Sequence, residues 1–460
     1  MRLLLLILIL LAGPAAAAEN VADVEISRDG KGWIADFELH ADAPVWAFHD
    51  SILPRESKAS FRSDSWTVET PGVRLERHGW YDTFVAANGN VPRKVRVRFT
   101  PYVKDIEASY DAALGFSDGS VALYDRKFKI VPMPSVEAVA KVPIDGDELP
   151  GFEKKTTVWF EDKDQGIFAL GARLEGLALP DKGTYVLYGS IPVAENEAMA
   201  TVIDPELPAW LKDNLAAELP KILADYAASM GPAPMGNKPT LMVSWNGPTA
   251  GVTSMGGSVL RDMVVMTFEG EGIVKENRDL ANGARWFIAH EGAHFWLGQA
   301  ISYDNPQQSW ITEGGADLLA IRAVAAHDPS FDAKARLQES INRCAGFLAK
   351  GGVATANERG EHKAYYDCGA IMALTAECAS GGSFAGFVKA LIERAGADGM
   401  VTRAEWLALL DERAPGRGLG EAIGRLLDSK SDDPHAALAD LLQRAGIAFV
   451  LDAEGVPQLS

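Results

Sequence analysis

The chain has 460 residues, 47% hydrophobic and 23% charged, an ordinary globular composition that excludes a disordered, collagen-like or multi-span membrane protein. A chain this long is expected to form two or three domains, each with its own core. With 44 basic against 63 acidic residues and a net charge of −19, it is a poor partner for nucleic acid, because neutralising phosphates needs a basic face.

The first segment reads as a cleavable secretory signal over residues 1–18. Arg2 supplies the positive charge, residues 3–12 an apolar run, Gly13-Pro14 the break and Ala16-Ala17-Ala18 the small-residue cleavage site. Its alanine-rich composition predicts a periplasmic or secreted protein, cut after Ala18. No later run reaches about 18 apolar residues, so no membrane anchor is expected in the mature chain.

Residues 19–200 alternate apolar and polar positions over short stretches, as in 21–27, 94–99 (KVRVRF), 121–131 and 184–193, with Gly, Pro, Asn and Asp between them. That pattern predicts an all-β domain, a sandwich or saddle. His40, His49 and His78 are scattered through it and read as packed or surface histidines. The texture changes near Asp204-Pro205, and residues 201–446 are assigned to a second domain. Residues 210–230 have helical spacing, 240–245 (TLMVSW) reads as a strand, 247–257 as a Gly-rich turn and 258–268 as another strand. From Asn282 the pattern is mostly helical, with helices predicted at 282–298, 310–327, 333–349, 364–379, 384–395, 403–412, 420–429 and 435–445. Thr402 followed by Glu405 predicts a capping box. The tail, 447–460, reads as a short hairpin or a trailing end.

The chain has three cysteines, Cys344, Cys368 and Cys378. Cys368 and Cys378 lie ten residues apart on one predicted helix, about 15 Å of rise, too far to bridge. Any disulfide must therefore use Cys344; three reduced thiols is the other reading.

The chemistry concentrates at His290-Glu291-Gly292-Ala293-His294, an HExxH motif within a predicted helix. Four residues is close to one turn, so both imidazoles project from one face at a spacing that suits two ligands of a tetrahedral zinc. Glu291 lies about 100° further round the helix, beside the metal rather than on it, where it can act as general base on water. Zinc needs a third ligand. Glu313 opens a second helix, with eighteen residues between it and His294, room for a helix end, a loop and an antiparallel neighbour. Asp317, one turn on, is placed to accept a hydrogen bond from a ligand histidine.

HEGAHFWLGQ, the eighteen-residue gap and WITEGGAD resemble the aminopeptidase N family of gluzincin metallopeptidases, whose pattern is HExxH, eighteen residues, then Glu within W-x-x-E-G. Tyr365-Tyr366-Asp367-Cys368-Gly369-Ala370 looks like the family's Tyr-Glu-Lys-Gly segment, whose tyrosine stabilises an oxyanion. That register assigns the role to Tyr366, with Tyr365 as the fallback. The resemblance covers roughly residues 205–412. It implies an N-terminal all-β (sandwich or saddle) domain followed by a thermolysin-like α+β, mostly helical catalytic domain. It further implies one Zn2+ per chain on His290, His294 and Glu313, and a peptide or protein substrate.

One departure stands out. The family carries Gly-x-Met-Glu-Asn upstream, whose Glu grips the substrate's α-amino group. Here the stretch is Met255-Gly256-Gly257-Ser258-Val259-Leu260, with Val259 in the place of that Glu and Asp262 the only acid between Gly251 and Phe268. Gly256, Gly257 and Ser258 remain a candidate strand for an extended substrate. The expectation is a zinc metallopeptidase whose aminopeptidase specificity is open. A zinc-binding peptide-recognition protein with little catalysis, and a zinc hydrolase of a non-peptide bond, are the alternatives.

Overall fold

A computed structural model describes residues 19–460 apart from 31, 55–56, 58, 107–108, 145, 147–148, 196–198, 234–235, 304 and 397–398. The signal segment, 1–18, lies outside the described residues. The chain divides into two compact units, one built from residues up to Leu114 with Ser120–Gly189, the other from Gly115–Gly119 with Ser190–Ser460.

The first unit is β-rich. Its largest sheet runs Gly176–Pro180, Lys155–Glu161, Asn20–Asp29, Gly32–Leu39, Lys94–Phe99, Trp66–Val68. Strand Lys94–Phe99 shows why the alternation matters: Val95, Val97 and Phe99 are buried while Lys94 and Arg96 are exposed, as one covered sheet face requires. The stretch 121–131, read from sequence as one strand, is broken. Val121–Tyr124 and Ile130–Met133 flank a 3-10 turn, Asp125–Phe128. Buried Asp125 accepts backbone N–H bonds from Lys182, Gly183 and Thr184 there.

The second unit opens with a five-stranded sheet in the order Val193–Glu195, Ala200–Ile203, Thr240–Trp245, Met263–Glu269, Ser254–Leu260. Its first strand lies ahead of residue 201, where the sequence reading began the second domain, and its second starts at Ala200. They belong here because Ala200–Ile203 pairs parallel with Thr240–Trp245. Asp204, fully buried, accepts from the backbone N–H of Ser117, Glu206 and Trp245, which ties the segment 115–119 to this unit. The remainder is helical, with Trp310–His327, Ala333–Leu348, Lys363–Ala379, Phe384–Ala395, Arg403–Arg413, Leu419–Asp428 and Pro434–Ala445 close to their sequence-based bounds. The Thr402 capping box forms in full. The tail closes as a hairpin of Phe449–Leu451 with Pro457–Leu459. Among the described residues, no single helix is long and apolar enough to cross a membrane.

Two local expectations are corrected. The 258–268 stretch is not one strand: Ser254–Leu260 and Met263–Glu269 are the arms of an antiparallel hairpin, turned at Asp262, which adopts a positive φ of 60°. The HExxH helix runs Arg278–Ala293 rather than to 298. Its last turn tightens, with His294 N–H bonding the Glu291 carbonyl and Phe295 N–H the Gly292 carbonyl, the short spacing that often closes a helix.

Candidate metal centre and active site

Asn277 caps the HExxH helix through its side chain, which accepts from Leu280 N–H. The helix then delivers His290, and His294 follows at its C-cap. Both imidazoles and Glu291 are buried. The second helix, Trp310–His327, brings Glu313 to the same point. The His290 Nε2 and His294 Nε2 atoms lie 3.2 Å apart. Glu313 Oε2 is 3.4 Å from the first and 3.5 Å from the second.

What holds each ring decides what this cluster can bind. His294 Nδ1 is 2.8 Å from the Leu297 carbonyl, which can only accept, so Nδ1 carries the proton. His290 Nδ1 donates likewise to Asp317 Oδ1 at 2.9 Å, a buried carboxylate one turn beyond Glu313. When the rings are neutral, both Nε2 atoms present lone pairs to each other and to a carboxylate oxygen. Three electron-rich atoms at this separation repel unless a cation lies among them. Donors about 2.05 Å from a tetrahedral centre are about 3.3 Å apart, which is the spacing seen. Protonation tells the same story. Burial alone would lower the His290 pKa, yet its hydrogen bonds with Asp317 and Glu313 raise it to about 10. Those same histidines hold the Glu313 carboxyl well below the usual carboxylate range against the opposing effect of burial. The site recruits positive charge, and a metal would compete with protons for it.

Glu291 differs from Glu313 in having no partner. Among the described residues nothing donates a hydrogen bond to its carboxylate, and burial pushes its pKa up, against the neighbouring histidines. It is a basic group left free beside the donors.

The helix Lys363–Ala379 brings the two tyrosines into different settings. The Tyr366 ring stacks near that of His290, centroids 5.7 Å apart at 15°, and its hydroxyl faces the Glu313 carboxylate. Burial, then Glu313, raises its pKa, so the phenol stays protonated and can donate. Tyr365 turns away, its hydroxyl donating to the Ala354 carbonyl at 3.2 Å and to Asn357 Oδ1 at 3.1 Å.

Gly256, Gly257 and Ser258 lie on the edge strand of the sheet, paired among the described residues with Met263–Glu269 alone. A Cβ on Gly257 would come within 2.8 Å of the Phe287 ring, so this glycine lets the strand lie directly against the HExxH helix. Gly256 has open space around it. Asp262, the one acid with any prospect of replacing the amine-binding Glu, is committed elsewhere. Its carboxylate accepts from Gly236 N–H at 3.1 Å and from the Asn237 backbone and side-chain N–H groups at 3.0 Å each.

By sequence, no family model and no curated protein matches the chain. By structure it is similar to an aminopeptidase N family protein from Idiomarina loihiensis, with a TM-score of 0.62 and 13% identity, over 95% of this chain and 80% of that one. It is also similar to native LTA4 hydrolase from yeast, with a TM-score of 0.51 and 13% identity, over 91% and 68%. An M1 zinc metallopeptidase from Deinococcus radiodurans aligns at a TM-score of 0.48 and 13% identity, over 90% and 94%. The chain is similar in fold to the aminopeptidase N family protein and to LTA4 hydrolase. At these identities the likeness speaks for the fold, and the donor cluster has to speak for itself.

Several groups that build the site were missed from sequence. The Leu297 carbonyl carries no residue signal at all; only Gly298, at φ 140°, marks the tight turn that aims it. Trp286, whose ring centroid lies 5.3 Å from that of His290, is one helical turn earlier and could have been found by that spacing. Gly314 and Gly369 are where the Glu313 and Tyr366 helices cross. A Cβ on Gly314 would meet backbone atoms of Gly369 at 2.1–2.2 Å. The cysteines are settled as well. Cys344 and Cys368 form a disulfide with Cα atoms 4.9 Å apart, joining Ala333–Leu348 to the tyrosine helix, and Cys378 is an exposed free thiol.

Proposed function

We propose that this chain is a zinc-dependent metallopeptidase exported to the periplasm or beyond, acting on peptide or protein substrates. The observation that carries the reading is the convergence of two Nε2 atoms and one carboxylate oxygen at tetrahedral-ligand spacing, each ring held from behind at Nδ1 by an acceptor. His290, His294 and Glu313 would hold the metal, which when bound supplies a Lewis-acid charge that acidifies water and polarises a carbonyl. Glu291 takes the proton of the attacking water and passes it to the departing amine. Its freedom from hydrogen bonds among the described residues supports that role, because a base engaged by a donor would have to break that bond first. Tyr366 donates its hydroxyl proton to the oxygen on which charge develops. Asp317 fixes the tautomer of His290. Gly256, Gly257 and Ser258 offer an open strand edge for an extended substrate.

The test is elemental analysis with a peptide-cleavage assay. Purified protein should carry about one zinc per chain, chelation should abolish cleavage, and His294→Ala should lose the metal. Full zinc occupancy in that variant would refute the ligand assignment.

A second expectation concerns which end of the peptide is read. With Val259 in the family's amine-binding position and Asp262 tied to Gly236 and Asn237, the edge strand offers no carboxylate to a free N-terminus. N-acetylated peptides should then be cut at rates comparable to free ones. Strict removal of N-terminal residues, with acetylated peptides untouched, would show that another acid supplies the anchor.

A further inference from the structure

We propose that Arg336 anchors a substrate carboxylate, so that preferred peptides carry an anionic group about two or three residues from the bond that is cut. This rests on the peptidase reading above. The observation is a stack of three groups leading away from the donor cluster. The Trp286 indole has its ring centroid 5.3 Å from that of His290, tilted by 37°. The Arg336 guanidinium carbon lies 5.8 Å from the indole centroid. It reaches there from Ala333–Leu348, the helix that the disulfide joins to the tyrosine helix. These two steps put the cation at most about 11 Å from the His290 ring, close to the reach of three extended residues at about 3.4 Å each.

The charge of Arg336 is available. Its side chain is 27% exposed, and its ion-pair partner is Glu339 at 3.0 Å, itself 60% exposed. Glu339 also pairs with Arg343, at 3.7 Å. A solvated pair of this kind is worth at most about 1 kcal/mol, so an incoming carboxylate can displace it. Asp367, the buried carboxylate on this flank, is held by Arg343 at 2.9 Å. The indole covers one side of the guanidinium, and partial desolvation strengthens a bidentate pair with a carboxylate. The edge strand, Ser254–Leu260, contains no acid to receive an ammonium. The charged group met by Arg336 is a carboxylate, supplied by a short peptide's C-terminus or by an Asp or Glu side chain.

The experiment titrates three peptides into zinc-loaded Glu291→Gln protein by calorimetry: tetra-alanine as the free acid, tetra-alanine amide, and Ala-Ala-Ala-Glu amide. The same peptides are then assayed for turnover with Glu291 intact. The free acid should bind at least tenfold more tightly than its amide. Arg336→Gln should erase that difference by weakening the acid alone, and Arg336→Lys should restore part of it. Unchanged binding of the amide is the check that the variant is folded. In turnover the effect should sit in KM rather than kcat. Tight binding of the glutamyl amide assigns side-chain carboxylates; weak binding assigns the chain terminus. Equal binding of acid and amide, or a preference that survives in Arg336→Gln, overturns the proposal. An Arg336-dependent preference without turnover of any of the three peptides would count against the peptidase reading, and with it the placement relative to a cut bond, while keeping Arg336 as the carboxylate anchor.

Discussion

Glu291→Gln should leave zinc content and fold intact and lower kcat by about a thousandfold, the scale of a lost general base. The structure makes this sharper than a motif would. Among the described residues the Glu291 carboxylate receives no hydrogen bond, and burial raises its pKa. Replacing it with an isosteric amide breaks no described contact and removes a buried negative charge, whose desolvation is costly. Thermal stability should therefore hold or rise while activity falls. His290, His294 and Glu313 are untouched, so metal analysis should still return one zinc per chain. A variant that turns over near the wild-type rate would remove Glu291 from the role of base. One that loses zinc would place it among the ligands.

Gly369→Ala should be strongly damaging although it lies outside the donor set. The Glu313 and Tyr366 helices cross with almost no separation. A Cβ on Gly369 would come within 2.6 Å of the Trp310 carbonyl oxygen and 2.8 Å of the Gly314 Cα. These are backbone atoms, so no side-chain rotation relieves the clash, and the helices must part. Overpacking of this kind costs about 3 kcal/mol or more where the backbone has to move. Parting also separates Tyr366 from Glu313, so any folded fraction should lose both turnover and zinc affinity. Gly346→Ala is the contrasting control. It lies in Ala333–Leu348 with nothing within 4 Å of the added methyl, and should stabilise by about 0.5–1 kcal/mol through helix propensity alone. Thermal or denaturant unfolding of both variants checks the signs. A Gly369→Ala protein as stable and active as wild type would show that the crossing has slack.

Much of the site could be read from the chain because its signals are local. HExxH works through the helical period, which places His290 and His294 on one face whatever surrounds them. The eighteen residues to Glu313 suffice for a helix end, a loop and a new helix start, and Asp317 follows by one turn. The later helices were legible for the same reason: their apolar periodicity ends at caps such as Thr402 with Glu405. The hairpin at 254–269 was not, because the start of its first arm is rich in Gly and Ser and reads as turn, while its end runs into Met263–Glu269 with only the Asp262 turn between them. That turn is held by Gly236 and Asn237, some 25 residues upstream, and no window of sequence contains that bond.

By itself, then, the sequence determined which side chains carry the chemistry and the helical register that pairs them, since both depend on spacing along one element. Everything that depends on which elements touch was left to the tertiary structure. Tyr365 and Tyr366 are adjacent and chemically identical. Only the packing of their helix against Glu313 and His290 turns one hydroxyl toward the donor cluster and the other toward Ala354 and Asn357. Cys344 had two partners on one helix, and only the distance across the helix pair selects Cys368. The Leu297 carbonyl that sets the His294 tautomer is a backbone atom that every residue possesses. Its direction comes from the tight turn through Gly298, formed when Gly298 N–H and Ile301 N–H bond back within the loop. A contact between distant segments leaves no period in the chain, so close packing between elements, and not local propensity, decided these parts of the site.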